Sequence, residues 1–172
     1  VEAQLLAGDT FAVHDDNPAD LFSAGRVGLV DVPASASSVT LLGYRITFNG
    51  VTYNPDGTST WRYTVTPPGT SVKALSHWTL GLCIPTYGVV SAGPGGYEVG
   101  TDPTTGVTGV KWETQIEPDD PAKSFWVTLP RSYQVAVVDV AVKAGQNVAT
   151  EMIDGPSCDP AEPTPTPTNM PV

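Results

Sequence analysis

Few residues in this chain have the type and spacing for chemistry. Two cysteines, Cys83 and Cys158, are the first candidates, and in an oxidising compartment they pair most simply as one disulfide. Closing a loop of that length stabilises a domain by about 4 kcal/mol on the chain-entropy account. They are not a close pair, and only His14 and His77 are present to help them, so a zinc site of ordinary spacing is not available. His77 follows Ser76, but neighbours in a strand point to opposite faces, so the two do not form a nucleophile and base. His14 stands beside Asp15 and Asp16 with no recognisable partner motif, and neither Gly-x-Ser-x-Gly nor His-Glu-x-x-His occurs. Glu98, Glu113 and Glu151 are the carboxylates from which a hydrolytic pair would have to be assembled. The expectation is a protein that is not an enzyme.

Acidic clusters raise calcium, the one cofactor considered. Asp15, Asp16 and Asp20 with Asn17 lie within one loop and are the candidate ligands of a structural Ca²⁺, a cation that takes six to eight oxygens. Their spacing is not that of an EF-hand, and Asp and Asn also cap helices and form turns without a metal. Asp102, in Gly100-Thr-Asp-Pro-Thr-Thr-Gly106, reads as an Asx-type turn residue.

A sugar platform needs aromatic rings turned to solvent, whereas a core tryptophan points the other way. By phase, Trp61 shares a face with Tyr63 and Val65, Trp78 with Leu80 and Leu82, and Trp112 with Val110, which makes these three core residues. Trp126 alternates with Phe125 and Val127 and shares its face with Ser124 and Thr128. It is the tryptophan expected near solvent, with Tyr87 and Tyr97 from loops as companion glycan contacts.

The elements that must position these residues are strands. Tyr44, Ile46 and Phe48 alternate with Arg45 and Thr47, Asn49-Gly50 predicts a hairpin turn, and Val51 and Tyr53 resume the pattern. Asn54-Pro-Asp-Gly57 predicts a second turn before Trp61, Tyr63 and Val65. Further strands are predicted over residues 76–83, 97–100, 107–113, 124–129, 133–142 and 148–153. The stretch 133–142 is nearly continuous in apolar residues, as a strand buried on both faces should be. One short helix is predicted from Asn17-Pro-Ala-Asp20, and a strand near residues 27–32 alternates with a long crossover as the reading of the Gly-, Ala- and Ser-rich stretch 23–38. The fold class is all-β: a two-sheet antiparallel β-sandwich, immunoglobulin-like or jelly-roll-like, with at most one short helix. A single domain over residues 1–160 and a tail over 161–172 is the expected organisation.

The tail reads Pro-Thr-Pro-Thr-Pro-Thr over residues 163–168. Such a run lacks amide donors and large apolar side chains, so it forms an extended spacer whose Thr164, Thr166 and Thr168 are candidate O-glycosylation sites. Charged residues make up 15% of the chain against about 25% in an average domain, a profile of extracellular β-domains. With 18 acidic and 8 basic residues the net charge is −10, which repels phosphate backbones and anionic lipid, so no nucleic acid and no membrane surface is expected as partner. No apolar stretch is long enough to span a bilayer, so no membrane insertion is expected. The expected location is outside the cell or at its surface, with any signal peptide already removed.

The runs Ser76-His-Trp78, Tyr97-Glu-Val-Gly-Thr-Asp-Pro-Thr-Thr-Gly-Val-Thr-Gly-Val-Lys-Trp112 and Val142-Lys-Ala-Gly-Gln-Asn147 resemble a group of exported bacterial β-domains of unassigned function. The Thr-Pro tail likewise resembles linkers of secreted bacterial surface proteins. The resemblance covers residues 55–160, implies export from a bacterial cell, and supplies no site residues.

Two functions remain for such a chain. Val1, Ala3 and Leu5 alternate with Glu2 and Gln4, the pattern of a strand able to pair with the open edge of a neighbouring sheet. A contact of that kind does not close on itself and propagates into a homopolymer, which makes the chain a structural or adhesive surface protein and a fibre subunit. The same residues also suit the first strand of their own domain. The alternative function is a carbohydrate-binding module of a secreted multidomain protein, its partner a cell-surface polysaccharide.

Overall fold

A computed structural model describes residues 37–83 and 88–160. The described residues form ten strands and no helix: β1 (Ser38–Leu41), β2 (Tyr44–Tyr53), β3 (Ser59–Thr66), β4 (Leu75–Gly81), β5 (Ser91–Gly93), β6 (Tyr97–Thr101), β7 (Thr108–Trp112), β8 (Lys123–Leu129), β9 (Tyr133–Ala144) and β10 (Asn147–Pro160). They pair into two five-stranded sheets, β1-β2-β3-β8-β5 and β10-β9-β4-β7-β6, antiparallel throughout. This is the expected β-sandwich. The predicted helix and the candidate strand near residues 27–32 lie outside the described residues.

Alternation builds the core. Trp61, Tyr63, Val65, Phe125 and Val127 of the first sheet meet Trp78, Leu80, Val110, Trp112, Val140 and Val142 of the second, and all are buried. Trp78 stacks on Trp112 with centroids 4.4 Å apart, and Phe125 meets both edge-on at 5.2 and 5.5 Å. Offset-stacked and edge-to-face contacts suit the ring quadrupoles, so the centre of the sandwich is an aromatic cluster rather than an aliphatic one. The buried indoles of Trp61 and Trp112 donate to Ser59 Oγ and to the Gly93 carbonyl, both at 3.0 Å.

Two local readings change. Asn49-Gly50 is not a hairpin turn: β2 runs straight through it, and the register against β3 slips there, from Phe48 opposite Tyr63 to Gly50 opposite Arg62. The same tolerance of positive φ that suits this pair to a turn suits it to a β-bulge, with Gly50 at φ +115°. The extra residue keeps Phe48 and then Val51 packed against the core, three positions apart instead of two. The tight turn that does occur is Leu42-Gly43, with φ +51° and +96°, joining β1 to β2.

The second change concerns β9. Its middle is not enclosed: Tyr133 and residues 140–142 are buried, whereas Val135 is 45% exposed and residues 136–138 are half-buried. Strand β4 pairs with β9 only as far as Leu80 opposite Val140, while β10 follows β9 along its other side down to Tyr133. Among the described residues, 134–139 are paired along one edge alone, and Val137 and Val138 face an open cleft, so an apolar run expected to be buried on both faces is only half-buried there.

Candidate functional site

Three places on the sandwich gather the residues with chemical potential. The first is the disulfide. Cys83, just past β4, is bonded to Cys158 near the end of β10, with Cα atoms 5.4 Å apart. It links a central strand of the second sheet to its edge strand, as the two-cysteine count leads one to expect. It also walls a cleft of about 370 Å³ whose apolar lining includes Leu82, Val107, Val137, Val138 and Met152. The cleft lies where β9 and β4 part, so the half-covered stretch of β9 opens into it.

The second is a buried polar knot. Asp102 follows β6 and closes an Asx turn, its Oδ1 accepting from Thr104 N at 3.1 Å and its carbonyl from Gly106 N at 2.8 Å. Its Oδ2 accepts from Thr105 Oγ1 at 2.7 Å and lies 3.0 Å from His77 Nε2 on β4. Burial pushes the Asp102 carboxyl up, but hydrogen bonds from Thr105 and Thr104 and the His77 imidazole outweigh it and hold the group below the ordinary carboxylate range. Ser76 points away, donating to the Lys143 carbonyl at 3.0 Å. His77 and Asp102 thus form an acid–imidazole pair whose hydroxyl neighbours, Thr79 and Thr105, are bonded to the carboxylate rather than to the ring. That arrangement ties the 102–107 turn to β4 and, among the described residues, presents no nucleophile to the imidazole. Sequence spacing could not reveal the pair, because the partners sit 25 residues apart, one on a strand and one in a turn.

Of the three glutamates, Glu98 and Glu113 converge on Lys111 Nζ, and Glu151 lies on β10 at the opposite edge of the sheet from β6 and Glu98. The ammonium between the two carboxylates has its pKa raised, chiefly by the hydrogen bond to Glu113. The trio is an ion-pair bridge between β6 and β7.

The third place is the outer face of the first sheet. Trp126 on β8 is 38% exposed, in contrast to the other three tryptophans, which are fully buried. It stands opposite Arg62 of β3 on one side and Gly93 of β5 on the other. A cavity of about 330 Å³ lies beside it, lined by Asn49, Arg62, Thr64 and Ser124 together with backbone neighbours Tyr63 and Phe125. Thr64 donates to Asn49 Oδ1 at 2.7 Å, and Arg62 Nη1 donates to Thr52 Oγ1 at 2.6 Å. Tyr97 is not part of this surface: it lies in the other sheet, half-buried against the core. Tyr87, the strand Val1, Ala3 and Leu5, the calcium candidates Asp15, Asp16 and Asp20, and the tail threonines Thr164, Thr166 and Thr168 fall outside the described residues. Among the described residues, no group of three or more His, Cys, Asp or Glu side chains is arranged to hold a metal, and no helix is long and apolar enough to cross a membrane.

Compared with models of known protein families and with curated proteins, the chain matches none.

Proposed function

We propose that this chain is a structural protein of the cell exterior whose sandwich units join by strand addition. One observation carries the reading: residues 135–138 of β9 are apolar, residues 134–139 have no described strand paired along one edge, and Val137 and Val138 line the apolar cleft beside the disulfide. A free strand edge is a template for another chain, and main-chain hydrogen bonds would supply the attraction while alternate side chains enter the cleft. The occupant we assign is residues 1–7 of a neighbouring copy. Seven residues are long enough to run along the open stretch of β9, and Val1, Ala3 and Leu5 alternate as a half-buried strand requires. Donor and acceptor lie on different parts of one sequence, so each copy offers both and the contact propagates into a filament. The disulfide is compatible with an extracellular place, and the Thr-Pro run suits a spacer bearing O-linked sugars.

The test compares the full chain with one lacking residues 1–7, by light scattering and negative-stain electron microscopy under non-reducing conditions. Filaments from the full chain, absent after the deletion and capped by an excess of a peptide copying residues 1–7, are the expected result. Unaltered filaments from the deleted chain, or a full chain that stays monomeric, would sink the proposal. Val137→Asp offers a second variant that places a carboxylate at the cleft without shortening the chain.

A further inference from the structure

The outer face of the sheet β1-β2-β3-β8-β5 differs in charge from the rest of the chain. Its outward positions are Ser, Thr, Asn or Gly, with Arg45, Arg62 and Trp126 as the exceptions, and none is Asp or Glu. In a chain of net charge −10 this is a surface kept clear of carboxylates. We propose that it binds an acidic polysaccharide, with a pyranose ring stacked on Trp126 and a sugar carboxylate held by Arg62.

Each part of the surface supplies one element of such recognition. One side of the Trp126 indole is occupied by β5, since a Cβ on Gly93 would stand 2.6 Å from its Cε2 and Cζ2 atoms. The ring is therefore braced from below, and its remaining exposure is available for stacking without a loss of side-chain freedom on binding. Its Nε1–H has no partner among the described residues, which leaves a donor at the edge of the stacking surface. Arg62 sits directly across the strand pair and is itself oriented by Thr52, and its other donors, which bond no described residue, can meet a carboxylate as a fork. Asn49, Thr64 and Ser124 line the same cavity as Trp126 and Arg62, with the hydroxyl and amide groups that suit sugar hydroxyls.

Competing ligand classes fit less well. Nucleic acid carries about one charge per 1.7 Å of duplex, which two arginines do not neutralise. A protein partner calls for a cluster of aromatic anchors in a desolvated centre, and this face has a single aromatic ring among hydroxyls. The site lies on the sheet that does not contain β9, and it does not depend on polymerisation.

The experiment uses the full chain, titrated with oligogalacturonate and with cello-oligosaccharide of the same length, followed by calorimetry and tryptophan emission at low and high ionic strength. Oligogalacturonate is expected to bind, more weakly as salt rises, with the neutral oligomer weaker at low salt. Trp126→Ala should lower the affinity by about tenfold or more, Trp126→Phe should restore part of it, and Arg62→Gln should remove the preference for the acidic oligomer. Thermal melts of the three variants separate loss of binding from loss of fold, because both side chains are outward-facing. Full affinity in Trp126→Ala, equal affinity for the two oligomers, or no binding of either would overturn the proposal.

Discussion

Trp126 and Gly93 form a matched pair: the indole lies against the glycine so closely that any side chain at 93 would overlap the ring, its Cβ falling 2.6 Å from Cε2 and Cζ2. The glycine carbonyl at the same time accepts the buried Trp112 indole at 3.0 Å, so one residue of β5 steadies a tryptophan on each side of the sheet.

Gly93→Ala should therefore push Trp126 outward and destabilise the domain by about 1–3 kcal/mol, the ordinary cost of overpacking. Adding Trp126→Ala should recover much of that loss, since the second change removes the atoms that collide. A double-mutant cycle in denaturant measures the coupling. Additive effects would show that the indole does not depend on the glycine.

Acid should loosen the 102–107 turn. A carboxyl held below its unfolded value of about 3.9 contributes stability that is fully present above that value and is lost as pH falls through the lower, folded one. Thermal melts between neutral pH and strongly acid conditions should show Asp102→Asn less stable than the parent near neutrality, with the difference narrowing in acid. Asp56 and Asp120, whose carboxyls are also lowered, remain in both proteins and supply the shared part of the acid limb.

The disulfide closes a sequence separation of 75 residues. Replacing Cys83 and Cys158 together by Ser should cost about 4 kcal/mol if the chain-entropy account holds. Guanidinium unfolding of the parent and the double variant reads the difference directly, and a loss under about 1 kcal/mol would place the stabilisation elsewhere.

Gly109 on β7 has no room for a side chain, because a Cβ would fall 1.8 Å from the Leu80 carbonyl oxygen. Backbone cannot swing aside as a flexible side chain can. Gly109→Ala should therefore cost about 3 kcal/mol or more and loosen the pairing of β4 with β7, visible as faster amide exchange across that pair.

Assembly should respond to salt. Copies that each carry a net charge of −10 repel, and screening shortens that repulsion to about 8 Å at physiological ionic strength. Filament yield should rise with added salt, the reverse of the trend expected for oligogalacturonate binding, so one salt series separates the two proposals.

Period two was legible because each long strand has one wet and one dry face. Phase alone puts Trp61, Trp78 and Trp112 in the core, where they are buried, and Trp126 on the outside, where it is 38% exposed. What sequence could not give follows from length and distance. Strands β1 and β5, of four and three residues, are too short to show an alternation. Asn49-Gly50 carries the same backbone preference in a bulge as in a turn, and only the partner strand decides between them. His77 and Asp102 were each readable alone, one as a strand residue and one as a turn former, but their meeting depends on how β4 and the β6–β7 hairpin lie together. The surface around Trp126 was half visible: its ring could be placed, whereas Arg62, from the neighbouring strand, required the register.

The bond between Cys83 and Cys158 also decides how the domain bears a load. Strand β10 is an edge strand in a hairpin with β9, and a pull on the chain beyond residue 160 would by itself unzip that hairpin one hydrogen bond after another. The cross-link lies two residues before that point and hands the force to β4, in the middle of its sheet, where strands on both sides must shear at once. A sandwich tethered through its tail would thus resist tension along the covalent path into its central strand and not at its weakest seam.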